Sequence, residues 1–472
     1  MTVVATEARG LQAGYEVNRN VLGLRFIGIH AASNKVGVAL RGENGVVIEN
    51  CVIEGSTDSS RGGIQIIGAG ATTRATVAIV NCTFVDNAGP AINVERELSD
   101  VQVQNVLVSS STGSALRYSR VFVNGEHGNV VWAKNNNLFS TTGTVVQVDH
   151  PGGTQGCTAS ELDSVCDAPG DCNFDKTVAI NEIIAAIDIA LGTGSLSSCT
   201  QADANGDGTV TINELIMAVG VALGTLNLDR QVITVPPSFA ANFHLAPGSP
   251  GRDQGAVPTG GFTGLTLCRV GQCDFDGHAR PQPPGGSYDI GAAEGDAGAA
   301  TDPTCTNPQD PSACAAAPSA APAQGGAASA VTVAVGTATG CPGALVDVPV
   351  SLSGTPGPVA GVQIDLLYDP AVLSVADPNQ PCVIDAGSGL PADAVYTSEP
   401  ATGRLRVLVF DTGALQTFGD GPVVQCRFQI ASGAPTGTTP VTGDRQQVSD
   451  ADGVEVPSVV SDGGVTVSSC GC

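Results

Sequence analysis

Short apolar alternations recur along the first third of the chain: VLGLRFIG at 21–28, VVIENCVIEG at 46–55, VAIVNCTFVDN at 77–87 and VQVQNVLVSS at 101–110, then a looser NNNLFS at 135–140. The copies start about 24 to 31 residues apart, a solenoid period in which each unit buries its apolar side by stacking on the next. One aligned column reads Gly23, Asn50, Asn81, Asn105 and then Asn136 or Asn137; the next reads Leu24, Cys51, Cys82 and Val106. Stacked rungs account for both columns. Inward asparagines bond the backbone of neighbouring turns, and the apolar column, with Cys51 and Cys82 as buried apolar residues, fills the core.

The period changes after residue 157. GDCNFDKTVAINEIIAAIDIALG (170–192) and ADANGDGTVTINELIMAVGVALG (202–224) are internal duplicates, with Asp171 and Asp203 standing 32 residues apart. Ile183, Ile184, Ile187 and Leu191, and in the copy Leu215, Ile216, Val219 and Leu223, have helical spacing, and each run ends at a glycine suited to a C-cap, Gly192 or Gly224. The segment before each helix fits the calcium-loop template of oxygen donors at positions 1, 3 and 5, a backbone carbonyl at 7 and a bidentate carboxylate at 12. The first loop offers Asp171, Asn173, Asp175, the Thr177 carbonyl and Glu182; the second offers Asp203, Asn205, Asp207, the Thr209 carbonyl and Glu214, with Thr211 at position 9. Such donors converge on a hard cation, whose charge offsets their mutual repulsion. Position 6, where the turn prefers glycine, is Gly208 in the second loop and Lys176 in the first. Two Ca2+ sites are expected, the second tighter.

Residues 295–330 are Ala, Pro, Gly and Ser with almost no bulky apolar side chain, the composition of a flexible linker. Strand signals then return at regular spacing: VTVAVGTA, LVDVPVSLSG, GVQIDLLYDPAVLSV, RLRVLVFDTG, VVQCRFQIA and GGVTVSS, separated by Gly, Pro and Asp turns. Their alternation predicts an antiparallel β-sandwich of jelly-roll type. Tyr368 and Asp369 precede Pro370 in a structural turn.

Composition narrows the function classes. The 472 residues allow roughly three domains of about 150 each. Charged residues are 14% and aromatics 4%, with 61 Gly and 29 Pro, which favours turn-rich β-structure over helical bundles. A net charge of −25 repels phosphate backbones and anionic lipid, which argues against nucleic acid as a partner and leaves divalent cations as natural ones. Fifteen cysteines point to an oxidising compartment, with close pairs at Cys157/Cys166, Cys268/Cys273, Cys305/Cys314 and Cys470/Cys472. Cys157, Cys166, Cys172 and Cys199 surround the calcium loops with two expected disulfides, and Cys382 with Cys426 is a candidate disulfide across the sandwich. The first residues, MTVVATEARGLQAG, have no apolar signal-peptide core, so a truncated beginning is expected; no run of about 18 apolar residues predicts membrane insertion.

Three resemblances follow from these residues. The stacked rungs, with FHLAPGSPGRDQG (243–255) and DFDGHARPQPPGGSYDIGAAE (274–294) as a last rung and cap, resemble the right-handed parallel β-helix family of polysaccharide-active and surface proteins. The paired loops, each followed by one helix, resemble dockerins, although Ile180 and Asn181, repeated as Ile212 and Asn213, depart from the hydroxyl residues type I dockerins commonly carry at loop positions 10 and 11. PGALVDVPVSLSG, VAGVQIDLLYDPAVLSV, LRVLVFDTG, VVQCRFQIASGAPTG and SDGGVTV are similar to cohesin. The expected organisation is mainly β: a parallel β-helix at 1–156, an inserted α-helical dockerin-like EF-hand pair at 157–229, the terminal rung and cap at 230–294, the linker at 295–330, and a cohesin-like sandwich at 331–472.

The resemblances imply an extracellular or cell-surface assembly protein linked to polysaccharide catabolism. Its partners would be cohesin or dockerin modules of other chains or of itself, and polysaccharide. Two further classes stand beside it: a β-helix polysaccharide lyase or glycoside hydrolase targeted by these modules, and a calcium-stabilised adhesin. The candidate rung residues Glu49, Glu54, Asp86, Glu95, Arg96, Asp100 and Arg117 form no matched acid–base column, and His30, His127, His150, His244 and His278 lack ligand spacing, so no catalytic residue is assigned.

Overall fold

The computed structural model describes residues 2–469 except 5, 19–21, 43, 69–74, 96–98, 121–129, 135, 151–152, 163–165, 206, 227–231, 241–242, 257–273, 277–279, 281–287 and 295–329. The linker, the pairs Cys268/Cys273, Cys305/Cys314 and Cys470/Cys472, and Arg96, His127 and His278 therefore lie outside the described residues. The chain divides into two compact units: Met1–Cys166 with Leu228–Pro322, and Asp167–Asn227 with Ala323–Cys472. It is mainly β, a solenoid followed by a sandwich, with few helices.

The first unit stacks three parallel sheets. Three of the apolar motifs supply two strands each, split at the asparagine: Val46–Glu49 and Val52–Glu54, Ala75–Val80 and Thr83–Val85, Ser99–Gln104 and Leu107–Ser111. The corner explains the column. Asn50, Asn81 and Asn105 pair in register and take the left-handed conformation, φ 51° to 52°, which asparagine tolerates. The expected start of the columns is corrected: Ile27 pairs with Glu49 and His30 with Val52, so Gly28, at φ 63°, and Ile29 stand level with Asn50 and Cys51, in place of Gly23 and Leu24. The Asn105 amide reaches the Asn81 carbonyl at 3.0 Å, linking asparagine to asparagine.

Pairing of Leu107 with Asn137 corrects the expected alignment. Asn136 stands in the apolar column with Val106, and residue 135 lies outside the described residues. Asn136 is buried because its side chain is satisfied: it donates to the Val103 carbonyl at 3.0 Å and accepts from Val106 N at 2.8 Å. A further correction concerns Cys51 and Cys82, which are disulfide-bonded rather than free apolar residues, since stacking sets equivalent positions of adjacent rungs side by side. The third strand of each rung, such as Val36–Arg41, Ile64–Ile67 and Ile92–Val94, completes a core of Val, Ile and Phe84.

A hairpin of Val146–His150 with Gly153–Cys157 follows, with the Cys157–Cys166 disulfide at its end. After the helical insertion the chain resumes at Ile233, which bridges Asn137. The cap is organised by Arg280, whose guanidinium meets Glu294 at 3.0 Å and donates to the carbonyls of Asp289, Gly291 and Ala292.

In the second unit the helices span Ile180–Leu191 (α1) and Ile212–Leu223 (α2), capped by Gly192 and Gly224 at φ 79° and 67°. The sandwich has two sheets. One runs Leu373–Val375, Gly421–Ile430, Leu345–Ser353, Val331–Val335, Ser458–Ser461; the other runs Thr337–Gly340, Gly463–Val467, Gly437–Ser449, Gly361–Tyr368, Arg404–Phe410, Val395–Ala401. Most pairs are antiparallel, but two are parallel: Val331–Val335 with Ser458–Ser461, and Thr337–Gly340 with Gly463–Val467. Cys382 and Cys426 do form a disulfide, but between neighbouring strands of one sheet rather than across the sandwich. Asp369 forms the expected turn, its carboxylate accepting from Ala371 N at 2.9 Å.

Candidate functional site

The two loops have the same internal wiring. In the first, Asp171 accepts from the amides of Asp175 and Lys176 at 3.0 and 2.9 Å, and Asn173 Oδ1 accepts from Asp175 N at 2.8 Å. Asp175 accepts from Thr177 N at 2.9 Å, and Glu182 accepts from Asn173 N at 3.2 Å and Ala179 N at 2.8 Å. The second repeats this at Asp203, Asn205, Asp207, Gly208, Thr209, Thr211 and Glu214, each bond within 0.1 Å of its counterpart where the two correspond. Each position-12 glutamate thus closes its loop and also caps the first turn of its helix by reaching back to the residue before it. The second loop adds Thr211 Oγ1 at 3.2 Å from Glu214.

Asp171, Glu182, Asp203 and Glu214 are all buried. Burial pushes the Asp171 carboxyl up to about 6 and, with the Asp203 carboxylate beside it, pushes Glu214 up to about 8. Paired acids shielded from water favour a bound proton or cation, so the donor chemistry fits a hard cation. Among the described residues no three His, Cys, Asp or Glu side chains group around one metal position. A cation here would draw as much on the Asn173 and Asn205 amide oxygens and the Thr177 and Thr209 carbonyls. The Cys172–Cys199 disulfide ties the first loop to the chain entering the second; of the two disulfides expected around the loops, the other, Cys157–Cys166, belongs to the solenoid unit.

The helices lie on the sandwich. Ile183, Ile187, Leu191, Ile212, Ile216 and Val219 share one apolar cluster with Ala360, Leu408, Phe410 and Leu415. In the strand Arg404–Phe410, Leu405, Val407 and Val409 belong to the sandwich core, while the alternate Leu408 and Phe410 face the helices, and all five are buried. Arg406 donates to the Ala190 carbonyl at 2.8 Å and Ser398 Oγ to the Leu191 carbonyl at 2.7 Å. Arg406 is held by Asp365, at 2.8 and 3.1 Å, which also binds Arg404 at 2.6 Å. Burial alone would raise the Asp365 carboxyl, but the Arg406 and Arg404 guanidiniums outweigh it and hold it below the usual carboxylate range.

The helical pattern expected both Ile184 and Leu223 in a core. Ile184 is instead 53% exposed and Leu223 40%, whereas Ile216, the counterpart of Ile184, is fully buried. The two repeats therefore have different surroundings despite similar sequence.

On the solenoid, Glu54 meets His30 at 3.0 Å with Glu7 3.9 Å from the same ring, and Arg117 pairs with Asp149 at 2.8 Å. Glu95 accepts from Gln65, Glu49 is buried, and Asp86 holds a left-handed turn. His30 has no ligand spacing in the sequence, and its pairing with Glu7 on the adjacent rung is what brings the ring to these carboxylates. His244 is buried against Asp276 at 2.9 Å, consistent with a structural part in the cap segment.

Residues 331–467 match the family model described as Cohesin domain. The sandwich is cohesin-like. Residues 10–142 match the model described as Right handed beta helix region. Solved structures similar to the chain include a cohesin from Clostridium acetobutylicum, at 26% identity over 29% of this chain and 90% of that one, TM-score 0.26. The sixth cohesin of scaffoldin B from Acetivibrio cellulolyticus, in complex with a Cel5 dockerin mutant, matches at 22% over 29% and 99%, TM-score 0.27. A non-cellulosomal cohesin from Archaeoglobus fulgidus matches at 20% over 30% and 92%, TM-score 0.25. No curated protein matches the chain. Among the described residues no helix is long and apolar enough to cross a membrane.

Proposed function

We propose that the chain is a secreted calcium-binding assembly protein, in which the cohesin domain receives a dockerin-type module and residues 157–229 are a module of that type. The observation that supports this best is the seating of α1 and α2 on the sheet formed by Gly361–Tyr368, Arg404–Phe410 and Val395–Ala401: a doubled loop-helix unit lies on a cohesin domain through apolar and capping contacts. Ca2+ is held by Asp171, Asn173, Asp175, the Thr177 carbonyl and Glu182 in one site. The other uses Asp203, Asn205, Asp207, the Thr209 carbonyl, Thr211 and Glu214. In each, the cation neutralises buried acids and fixes the first turn of the helix. The disulfides favour an extracellular or cell-surface setting. The β-helix region serves as a spacer that is compatible with contact to polysaccharide.

Calorimetric titration of the full chain with Ca2+ tests this, alongside Glu182→Ala and Glu214→Ala. Two sites are expected, with Glu214→Ala removing the tighter and Glu182→Ala the weaker. Absence of binding heat, with circular dichroism unchanged by chelator, would remove the reading.

A further inference from the structure

Resting on the assembly reading, we infer that the docking sheet of the cohesin domain is closed in cis: the chain's own loop-helix module occupies it, and an incoming module gains the sheet only when this one leaves. The seat is shaped from both sides. Leu408 and Phe410 project from the outer face of the sheet, where an uncovered strand would carry polar residues, and neither has any exposed surface. Opposite them Ile212 and Ile216 are equally buried, and Gly361 leaves the space they fill, since a Cβ there would stand 2.6 Å from Ile212 Cγ1 and 3.2 Å from Ile216 Cδ1.

The polar contacts are specific to a helix end. The last carbonyls of α1 have no donor within the helix, and Arg406 and Ser398 of the cohesin domain supply donors to Ala190 and Leu191. The Arg406 guanidinium also lies at the negative end of the helix dipole.

Occupancy is one-sided. Ile180, Ile184 and Leu223, the internal duplicates of the seated Ile212, Ile216 and Leu191, are 64%, 53% and 40% exposed. The module is thus engaged through the start of α2 and the end of α1. Tethering on one chain gives an effective concentration of about millimolar, so a free module of equal affinity displaces the resident only near that level. The partner of this sheet in the resting chain is therefore its own module, and the contact limits capture of others.

Met217 provides the readout, because it lies against Gly453 in the seat and Met1 is the only other methionine. The full chain in Ca2+ is exposed to hydrogen peroxide and Met217 sulfoxide is quantified by peptide mass spectrometry across a dilution series. Slow oxidation independent of chain concentration is expected, with a monomer by light scattering. Gly361→Glu, which adds a charged side chain on the seat at a backbone position outside the left-handed region, should raise the rate several-fold with circular dichroism unchanged. Ser398→Ala should raise it less, and carries the test if Gly361→Glu does not fold. Oxidation of the wild-type chain as fast as of Gly361→Glu would overturn closure in cis, as would protection that disappears on dilution of a dimer. If calorimetry still registers Ca2+ in either case, calcium binding by the module stands and only its seating in cis is overturned; loss of Ca2+ binding itself would instead remove the calcium-binding reading.

Discussion

Lys176 takes φ 70° at the loop position where the second repeat has Gly208 at φ 89°. A side chain in this region costs about 1–3 kcal/mol that glycine avoids, so the first loop carries backbone strain which the second does not. On the proposed function, Lys176→Gly should tighten the weaker Ca2+ site by about 1 kcal/mol, roughly fivefold, in the same calorimetric titration. Asp365 makes a different prediction. Its carboxyl is held low by Arg406 and Arg404, so it contributes stability above the unfolded value of about 3.9 and loses it as pH falls through the depressed folded value. Asp365→Asn should therefore lower the melting temperature at pH 7, and the gap to wild type should narrow at pH 3. At this scale much is legible in the sequence: the duplicated loops are read from spacing, and Asn50, Asn81 and Asn105 from their repeat. What escapes is conformation and register. The left-handed corner that selects Gly28, Asn50, Asn81 and Asn105 depends on φ, and the places of Gly28 and Asn136 depend on which residues pair.

Helices α1 and α2 fall where 3.6-residue spacing and terminal glycines predict, because each carries a continuous apolar stripe and its own caps. The solenoid is half legible. Two strands of each rung lie inside one repeated motif, while the third, such as Ile64–Ile67, lies in segments too variable to align. The outer face of the sheet that carries the helices is the main omission. RLRVLVF reads as one strand of a sandwich, yet its near-continuous apolar run signals burial on both faces, and only coordinates say what covers the second. In the cap, Arg280 and Glu294 are fully buried side chains bound to each other and to the backbone. Arg280→Met would leave Glu294 buried without its partner, at a cost of about 3–5 kcal/mol, measurable as a lower denaturant midpoint for a transition followed through the sole tryptophan, Trp132 of the solenoid.

For the whole molecule, an insertion that interrupts the solenoid in sequence is grouped with the cohesin domain in structure, which gives the interruption a physical sense that sequence order hides. Folding of the module, ordering of its loops and covering of Leu408 and Phe410 become one linked process. Uncovering those two side chains would cost about 1.5–3 kcal/mol each, so the state of the loops reaches the cohesin domain through the seat. The most direct test is hydrogen exchange at the amides of Arg404–Phe410 in the full chain, with Ca2+ and with chelator. The account predicts slower exchange with Ca2+, since the proposed metal donors lie outside the sandwich and would act on this strand only by holding the module in place. Equal exchange in both conditions, with Ca2+ bound, would contradict it.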